Sequence, residues 1–175
     1  MSKNALITGS SHGIGAATAI ALAKEGYNVG ITYCKNPEGA KQIQAQCLEY
    51  GYEKYGEEGL REYLTQFTLA FHVPLLAAIK EKGLTAIAEY MQWLYETEEA
   101  PDALSMEQTE QELLITIHYC PAVKFLKSRE FKLDESYEYC TSMVYEALAE
   151  ASGLGFEMIR YDPDTGAAQF RFFTK

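Results

Sequence analysis

In the N-terminal part of the chain, short apolar runs typical of strands alternate with segments whose apolar residues have helical spacing. Residues 4–8 form a short apolar run that predicts a buried strand, and apolar positions at helical spacing predict a helix over residues 14–25. A second strand is predicted over residues 28–33 and a second helix over residues 37–50. Residues 1–50 are therefore predicted to form a β-α-β-α unit of the α/β class.

From residue 57 onward the periodicity is that of consecutive helices. One apolar stripe at helical spacing consists of Leu60, Leu64, Phe67 and Phe71. Pro74 is expected to kink or restart this helix, and Gly83 to end the segment that follows it. A further helix is predicted over residues 84–97, so this part of the chain favours packed helices over a continued α/β pattern.

The C-terminal part includes strand-like alternation. A strand is predicted over residues 112–120, with an apolar face made by Leu113, Ile115, Ile117 and Tyr119. The other predicted elements are a loop at 100–105, a helix over 135–151 with Asp134 as its N-cap, and a hairpin of 156–161 with 168–173. We therefore expect residues 55–175 to form an α+β domain of helices packed on a small antiparallel sheet.

Residues 8–15 read Thr-Gly-Ser-Ser-His-Gly-Ile-Gly, between the first predicted strand and the first predicted helix. In such a turn Gly9 permits tight backbone geometry, Gly13 lets the main chain approach a pyrophosphate, and Gly15 lets the helix lie close to the strand. The helix N-terminus offers unpaired N–H groups and a positive dipole end, so it can bind a phosphate without a charged side chain.

These residues resemble the opening of short-chain dehydrogenases/reductases, and most of all their 3-oxoacyl-acyl-carrier-protein reductases, over residues 1–50. The resemblance implies a truncated half-Rossmann unit. The positions that match the family's cofactor-binding residues are Gly9, His12, Gly13, Ile14 and Gly15. Residues 33–36 contain no carboxylate for a ribose 2′-hydroxyl, but they contain Lys35, which could meet a 2′-phosphate. The resemblance thus implies NADP, and we expect weak binding because only the adenosine-phosphate half of the site is present.

The family's catalytic residues have no counterpart at the expected places. Short-chain dehydrogenases use a Ser and a Tyr-x-x-x-Lys pair, in which the Lys lowers the pKa of the Tyr so that the phenol acts as general acid or base. The Tyr-x-x-x-Lys pair of this chain is Tyr50 with Lys54, too early in the sequence to face a nicotinamide. The family's Asn-Ala-Gly segment is also missing, so we expect no complete dehydrogenase active site.

A second resemblance covers residues 55–175. The order of helices, a strand ending in Cys120-Pro121, a helix bearing Cys140 and a terminal hairpin is similar to L-2-amino-thiazoline-4-carboxylate hydrolase-like proteins and vinyl-4-reductase-type small-molecule binding domains. It implies a ligand pocket near Cys120 and Cys140. The family's usual cysteine in the last strand is absent, since residues 168–171 read Ala-Gln-Phe-Arg.

The same residues can be considered without the resemblance. His118 and Cys120 lie two positions apart on a predicted strand and share a face, and Cys140 on the next helix could approach them. This set could be a Cys-His nucleophile pair or three ligands of an open zinc site. Core packing is the favoured interpretation, because a buried thiol behaves as a small hydrophobic group. The paired C-x-x-C spacing of specific metal sites is absent, so we assign no metal.

Composition excludes several classes of function. The formal net charge is −10, from 15 Lys and Arg against 25 Asp and Glu, and the acidic excess lies after residue 50. Such a surface repels phosphates, so we expect no nucleic-acid partner. The sequence has no apolar run of about 18 residues or more and no secretory leader before the first strand, so we expect no membrane association and a cytoplasmic protein with reduced cysteines.

Three hypotheses follow from these features. The favoured one is a small-molecule binding or sensing protein, with the ligand in the 55–175 domain and the 1–50 unit serving packing or dimerisation. The alternatives are an NADP-dependent reductase completed by a partner, and a hydrolase that uses Cys120 or Cys140. Two isolated parallel strands cannot bury both faces by themselves, so they must join the sheet of the second domain or pair with another copy, and we expect a homo-oligomer.

Overall fold

The computed structural model describes residues 3–33, 37–130, 133 and 135–175. Lys35 and the predicted N-cap Asp134 lie outside the described residues. The chain divides into two compact units, one formed by Met1–Leu60 with Phe125–Tyr137 and the other by Arg61–Lys124 with Glu138–Lys175. The two predicted domains, residues 1–50 and 55–175, remain a prediction.

The first unit contains the predicted β-α-β-α order. Its elements are β1 (Lys3–Ile7), α1 (Gly13–Lys24), β2 (Tyr27–Ile31) and the first part of α2 (Pro37–Phe71). β1 and β2 pair in parallel, with Leu6 opposite Gly30. The core consists of small side chains of α1, Ala16 and Ala19, packed with Ile43 of α2. The fold prediction is confirmed at this level.

α2 is interrupted at Gly56, whose φ of 68° lies in the left-handed region that favours glycine. The stripe predicted beyond this break is wrong in its second half. Leu60 and Leu64 are buried, but Phe71 is 65% exposed, and Phe67 is exposed and stacks on it with ring centroids 5.3 Å apart. The helix face that continues inward every four residues is occupied by two polar residues.

These two residues are Thr68 and His72, and both are buried. From Leu64, steps of four residues lead to Thr68 and His72, whereas a step of three followed by a step of four leads to Phe67 and Phe71. Both sets are compatible with one continuous helix stripe. Apolar periodicity alone cannot choose between the two continuations, because the neighbouring elements decide which one is covered.

The second unit is an α+β arrangement. Its remaining elements are α3 (Val73–Lys82), α4 (Leu84–Thr97), a 3₁₀ turn (Pro101–Ala103), β3 (Leu104–Gln108), β4 (Glu112–Ile117), the start of α5 (Pro121–Ser128), most of α6 (Glu135–Ser152), β5 (Leu154–Tyr161) and β6 (Ala168–Thr174). The four strands form one antiparallel sheet in the order β3-β4-β6-β5. The predicted small antiparallel sheet is confirmed, together with its terminal hairpin.

Two boundaries in this sheet differ from the prediction. β3 begins inside the predicted loop and pairs with β4, Leu104 opposite Ile117. β4 ends at Ile117 and does not reach Cys120, because the backbone leaves the ladder there. The N–H of His118 donates to the carbonyl of Ala103 at 2.8 Å, and the N–H of Cys120 donates to the carbonyl of Thr165 at 2.9 Å.

The core of the second unit lies between this sheet and its helices. The fully buried side chains in it include Leu113, Ile115, Phe170 and Phe172 of the sheet, Ile87 and Met91 of α4, and Leu148 of α6. Full burial of each such side chain stabilises the fold by about 1.5–3 kcal/mol. The ring of Tyr145 of α6 stacks on Phe170 with centroids 4.9 Å apart, so α6 is aligned on the sheet by aromatic contacts.

Candidate functional site

The turn between β1 and α1 has the backbone geometry that its glycines predict. Gly9 and Gly13 have φ values of 66° and 57°, in the left-handed region. A Cβ placed on Gly15 would lie 2.5 Å from the carbonyl oxygen of Gly9, so no larger residue fits there without a shift of the backbone. The turn is thus built around glycine at all three positions.

A serine in the turn holds it against the end of β2. Ser10 is buried, its N–H donates to the carbonyl of Thr32 at 3.0 Å, and the N–H of Thr32 donates to Ser10 Oγ at 2.9 Å. Ser10 is not among the residues predicted to bind the cofactor. Its position within the glycine motif offered a signal, because a hydroxyl is a natural partner for exposed backbone groups at a turn.

The N-terminus of α1 is accessible. Gly13 is exposed, Ile14 is 88% exposed, and His12 is exposed with its Nδ1 3.2 Å from Ser11 Oγ. The N-cap residue His12 makes no side-chain capping hydrogen bond, and the first turn of the helix carries no acidic residue. Backbone N–H groups and the positive dipole end can therefore receive an anion such as a phosphate. The predicted cofactor residues lie together in this turn, apart from Lys35, which is outside the described part of the chain.

The Tyr50–Lys54 pair has a structural role at the other end of α1. Tyr50 Oη donates to the carbonyl oxygen of Lys24 at 3.1 Å, and Lys54 Nζ donates to the same oxygen at 3.0 Å. Lys24 is the last residue of α1, so the pair satisfies a carbonyl that the helix leaves unpaired. A helix of 12 residues is about 18 Å long. This pair therefore cannot act at a ligand bound to the glycine turn.

The second unit contains a cavity of about 190 Å³. It is lined by the last turn of α4 (Leu94, Tyr95, Glu98), the end of β4 and the start of α5 (Ile117, Cys120, Pro121, Ala122), α6 (Thr141, Tyr145) and the β5–β6 hairpin (Tyr161, Gly166, Ala168). The most exposed of these residues is Glu98, so it lies where the cavity meets solvent.

Cys120 is half-buried in the wall of this cavity. Next to it, Gly166 has a φ of 67°, and a Cβ at Gly166 would lie 2.4 Å from Cys120 Cβ. Tyr145 Oη donates to Met91 Sδ at 3.5 Å, and burial raises the pKa of Tyr145 far above its usual value, so the residue remains a neutral phenol.

The structure describes all three candidate residues His118, Cys120 and Cys140, and one of them lines the cavity. His118 is exposed, with its Nε2 2.7 Å from Ser105 Oγ, and it does not line the cavity. Cys140 is half-buried and is not among the lining residues, although its neighbour Thr141 is. The predicted strand does not extend to His118 and Cys120, because β4 ends at Ile117, and a catalytic role of these residues stays a prediction.

Among the described residues, no group of three or more His, Cys, Asp or Glu side chains is arranged to hold a metal ion. Cys47, Cys120 and Cys140 are not in disulfides. Burial raises the pKa of Cys47, which favours its thiol form.

Several cavity residues are not among those predicted from the sequence. Tyr95, Tyr145 and Tyr161 look like core aromatics in the sequence, and Glu98 looks like a solvated loop charge. No local pattern marks them as a group, since they lie on or at the end of three different elements, α4, α6 and β5.

Residues 3–56 match the short chain dehydrogenase family. The chain is 33% identical over 78 residues to the 3-oxoacyl-[acyl-carrier-protein] reductase FabG of Staphylococcus epidermidis, covering 38% of this chain and 32% of that protein. It is 50% identical over 46 residues to acetoacetyl-CoA reductase of Shinella zoogloeoides, covering 26% of this chain and 19% of that protein. It is 45% identical over 49 residues to L-rhamnose 1-dehydrogenase (NADP(+)) of Thermoplasma acidophilum, covering 28% of this chain and 19% of that protein.

These comparisons confirm the first resemblance, because residues 3–56 match the short chain dehydrogenase family and are similar to reductases of that kind. The chain spans about a third or less of the length of these curated relatives. No solved structure matches it. The resemblance of residues 55–175 to aminothiazoline-carboxylate hydrolase-like proteins stays a prediction. Within the described part of the chain, no helix is both long and apolar enough to cross a membrane.

Proposed function

We propose that this protein binds a small organic molecule in the cavity of the second unit. The observation that supports this is the cavity itself, about 190 Å³ with a mainly apolar wall and a few polar groups. Ligand sites have this composition, with polar groups that orient the ligand against an apolar surface. A dry apolar cavity of about 150 Å³ holds benzene. This cavity therefore suits a molecule of on the order of ten non-hydrogen atoms.

Thermal unfolding with and without tert-butylbenzene tests the proposal. A ligand that binds the native state stabilises it, by about 2.7 kcal/mol at a hundredfold excess over its Kd. The variant Ala122→Leu places a larger side chain in the cavity wall and should abolish the shift. The matched control is Ala77→Leu, at an exposed position of α3 outside the lining residues. Equal shifts in the two variants would contradict the assignment of the site.

A second candidate function is an NADP-dependent oxidoreductase. Two observations favour it, the open glycine turn at the N-terminus of α1 and the relatives that are named as reductases and dehydrogenases. Gly9, Gly13 and the exposed first turn of α1 would hold the phosphates of the dinucleotide, which when bound would supply hydride transfer. Because the Tyr50–Lys54 pair lies at the other end of α1, the acid–base groups would have to come from a partner.

Calorimetric titration with NADP⁺ tests this second candidate function by measuring the affinity of the chain for the dinucleotide. Weak binding is expected, and Gly15→Ala should remove it, because the added methyl would displace the Gly9 carbonyl. Gly51→Ala is the matched control, since nothing lies within 4 Å of a Cβ there. We expect the purified chain to show no oxidation of NADPH with a 3-oxoacyl substrate. Substrate-dependent oxidation would make the oxidoreductase the leading function.

The oxidoreductase proposal and the binding proposal both include a homo-oligomer. In the described part of the chain, β1 pairs with β2 alone, and Leu6 of β1 is exposed. A strand edge of this kind is a surface on which a second copy can pair. Light scattering of the full chain should report an oligomer that Leu6→Lys dissociates, whereas an oligomer unchanged by this variant would place the interface elsewhere.

A further inference from the structure

A serine and a histidine lie within hydrogen-bond distance of each other at the surface of the second unit. Ser105 Oγ of β3 is 2.7 Å from His118 Nε2. At this distance an imidazole can take the proton of a serine hydroxyl, which is how a serine is activated as a nucleophile. Both side chains are exposed, so a substrate can reach them, and neither lines the cavity.

The backbone places the two side chains together. Ser105 is opposite Thr116 in the ladder of β3 and β4. The N–H of His118, the first residue after β4, donates to the carbonyl of Ala103, the residue that precedes β3. The two chain segments are therefore still adjacent at this point, and the ring of His118 reaches Ser105 diagonally from one segment to the other.

Contacts next to His118 hold its segment against the start of β3. Tyr119 Oη donates to both carboxylate oxygens of Asp102 at 3.0 Å. Lys124 Nζ lies 5.0 Å from the centroid of the Tyr119 ring. Because Asp102 belongs to the 3₁₀ turn before β3, these contacts fix the position of the histidine relative to the serine. A base that is held in place in this way is oriented before the substrate arrives.

The free edge of β3 provides a backbone donor beside the serine. In the described part of the chain β3 has β4 as its neighbour on one side and forms the edge of the sheet on the other. The bond from the N–H of Thr109 to the carbonyl of Glu112 sets the phase of the ladder, in which odd-numbered residues of β3 bond to β4. Alternate residues of an antiparallel pair point outward, so the N–H of Met106 faces the free edge next to Ser105. Such a donor can stabilise the oxygen of a carbonyl under attack.

We propose that Ser105 and His118 form an acyl-transfer site that hydrolyses carboxylic esters. Ser105 Oγ attacks the carbonyl carbon while His118 Nε2 takes the hydroxyl proton, and the carbonyl oxygen accepts a hydrogen bond from the N–H of Met106. The C–O bond of the ester breaks, and the alcohol leaves with the proton from His118. One water molecule, deprotonated by the same imidazole, then releases the carboxylic acid and restores the serine hydroxyl.

A fluorophosphonate probe tests the nucleophile on the full chain. Attack of Ser105 Oγ on phosphorus displaces fluoride and leaves a covalent adduct, which intact-mass measurement and peptide mapping locate. We expect an adduct at Ser105 and labelling at least about a hundredfold slower in His118→Gln. Ser105→Ala should remove this adduct. The matched control is Ser128→Ala, at an exposed serine whose Oγ donates to the carbonyl of Phe125, and it should leave the labelling unchanged.

Hydrolysis of p-nitrophenyl acetate measures the complete reaction. Ser105→Ala should reduce the rate to that of the uncatalysed reaction. Met106→Pro removes the N–H and should lower the rate by about 10²–10³-fold, whereas Met106→Ala retains the N–H and should keep it. Proline is tolerated where the N–H of an edge strand faces away from the sheet, and circular dichroism establishes that each variant is folded.

The outcomes decide each part of the inference. If the folded chain forms no adduct at Ser105, or if His118→Gln is labelled as fast as the unmodified protein, the nucleophile and base pair is refuted. Ester hydrolysis that Ser105→Ala does not reduce refutes it as well. Equal rates in Met106→Pro and Met106→Ala would remove the backbone donor from the site. The proposed binding function is independent of these results, because neither Ser105 nor His118 lines the cavity.

Discussion

Replacing Gly166 with alanine should destabilise the second unit more than the same change at Gly153. Both residues have φ in the left-handed region, 67° and 73°. Gly166 is buried, and its added Cβ would lie 2.4 Å from Cys120 Cβ and 2.8 Å from Val123 Cγ2. At Gly153 nothing lies within 4 Å of the added Cβ. The pair of variants therefore separates backbone strain from steric overlap.

The expected magnitudes follow from these two differences. An alanine in the left-handed region costs about 1–2 kcal/mol, and the reduced entropy of the unfolded chain offsets about 0.4–1 kcal/mol. Gly153→Ala should therefore lower the free energy of unfolding by about 1 kcal/mol. Gly166→Ala adds an overpacking cost of about 1–3 kcal/mol, for a total of about 2–4 kcal/mol.

Urea unfolding can measure both variants. Trp93, the single tryptophan of the chain, lies in the second unit, so its fluorescence reports on this unit, and circular dichroism provides a second probe. Adding Cys120→Ala to Gly166→Ala should not restore stability, because the closest contact is with a Cβ atom that alanine retains. Equal losses for Gly166→Ala and Gly153→Ala would refute the steric argument.

Three further predictions concern the same unit. Burial lowers the pKa of His72, and hydrogen bonding to the Thr68 backbone opposes this only in part. The free energy of unfolding should therefore fall as the pH drops below about 6.5, the unfolded-state pKa, and urea unfolding of His72→Gln should lack this slope. Phe170→Ala should cost about 3–5 kcal/mol in urea unfolding, against a small effect of Phe71→Ala on the exposed helix face, and similar losses would contradict the burial that we describe. Iodoacetamide should modify Cys120 more slowly when tert-butylbenzene is present, as read by mass spectrometry, and an unchanged rate would place the ligand outside the cavity.

The sequence by itself determined the features that depend on neighbouring residues. The β-α-β-α order and the glycine turn follow from local periodicity and from the backbone freedom of Gly9 and Gly13, which need no tertiary partner to be recognised. The buried face of β4, with Leu113 and Ile115, follows from strict alternation. The hairpin at the C-terminus follows from its turn residues, in which Asp162 and Gly166 close the loop through a backbone hydrogen bond of 2.8 Å.

The tertiary structure alone decided where the strands end and which side chains meet. His118 lies outside β4, and its backbone N–H bonds to the carbonyl of Ala103, 15 residues earlier in the sequence. Helical periodicity alone could not show that Phe67 and Phe71 are exposed. The cavity brings together the end of α4, Cys120, and the consecutive α6 and last hairpin, so its wall comes from three separate parts of the chain. Local patterns record which residues are apolar, but a binding site depends on the packing of distant elements, and that packing is settled by contacts that no single segment contains.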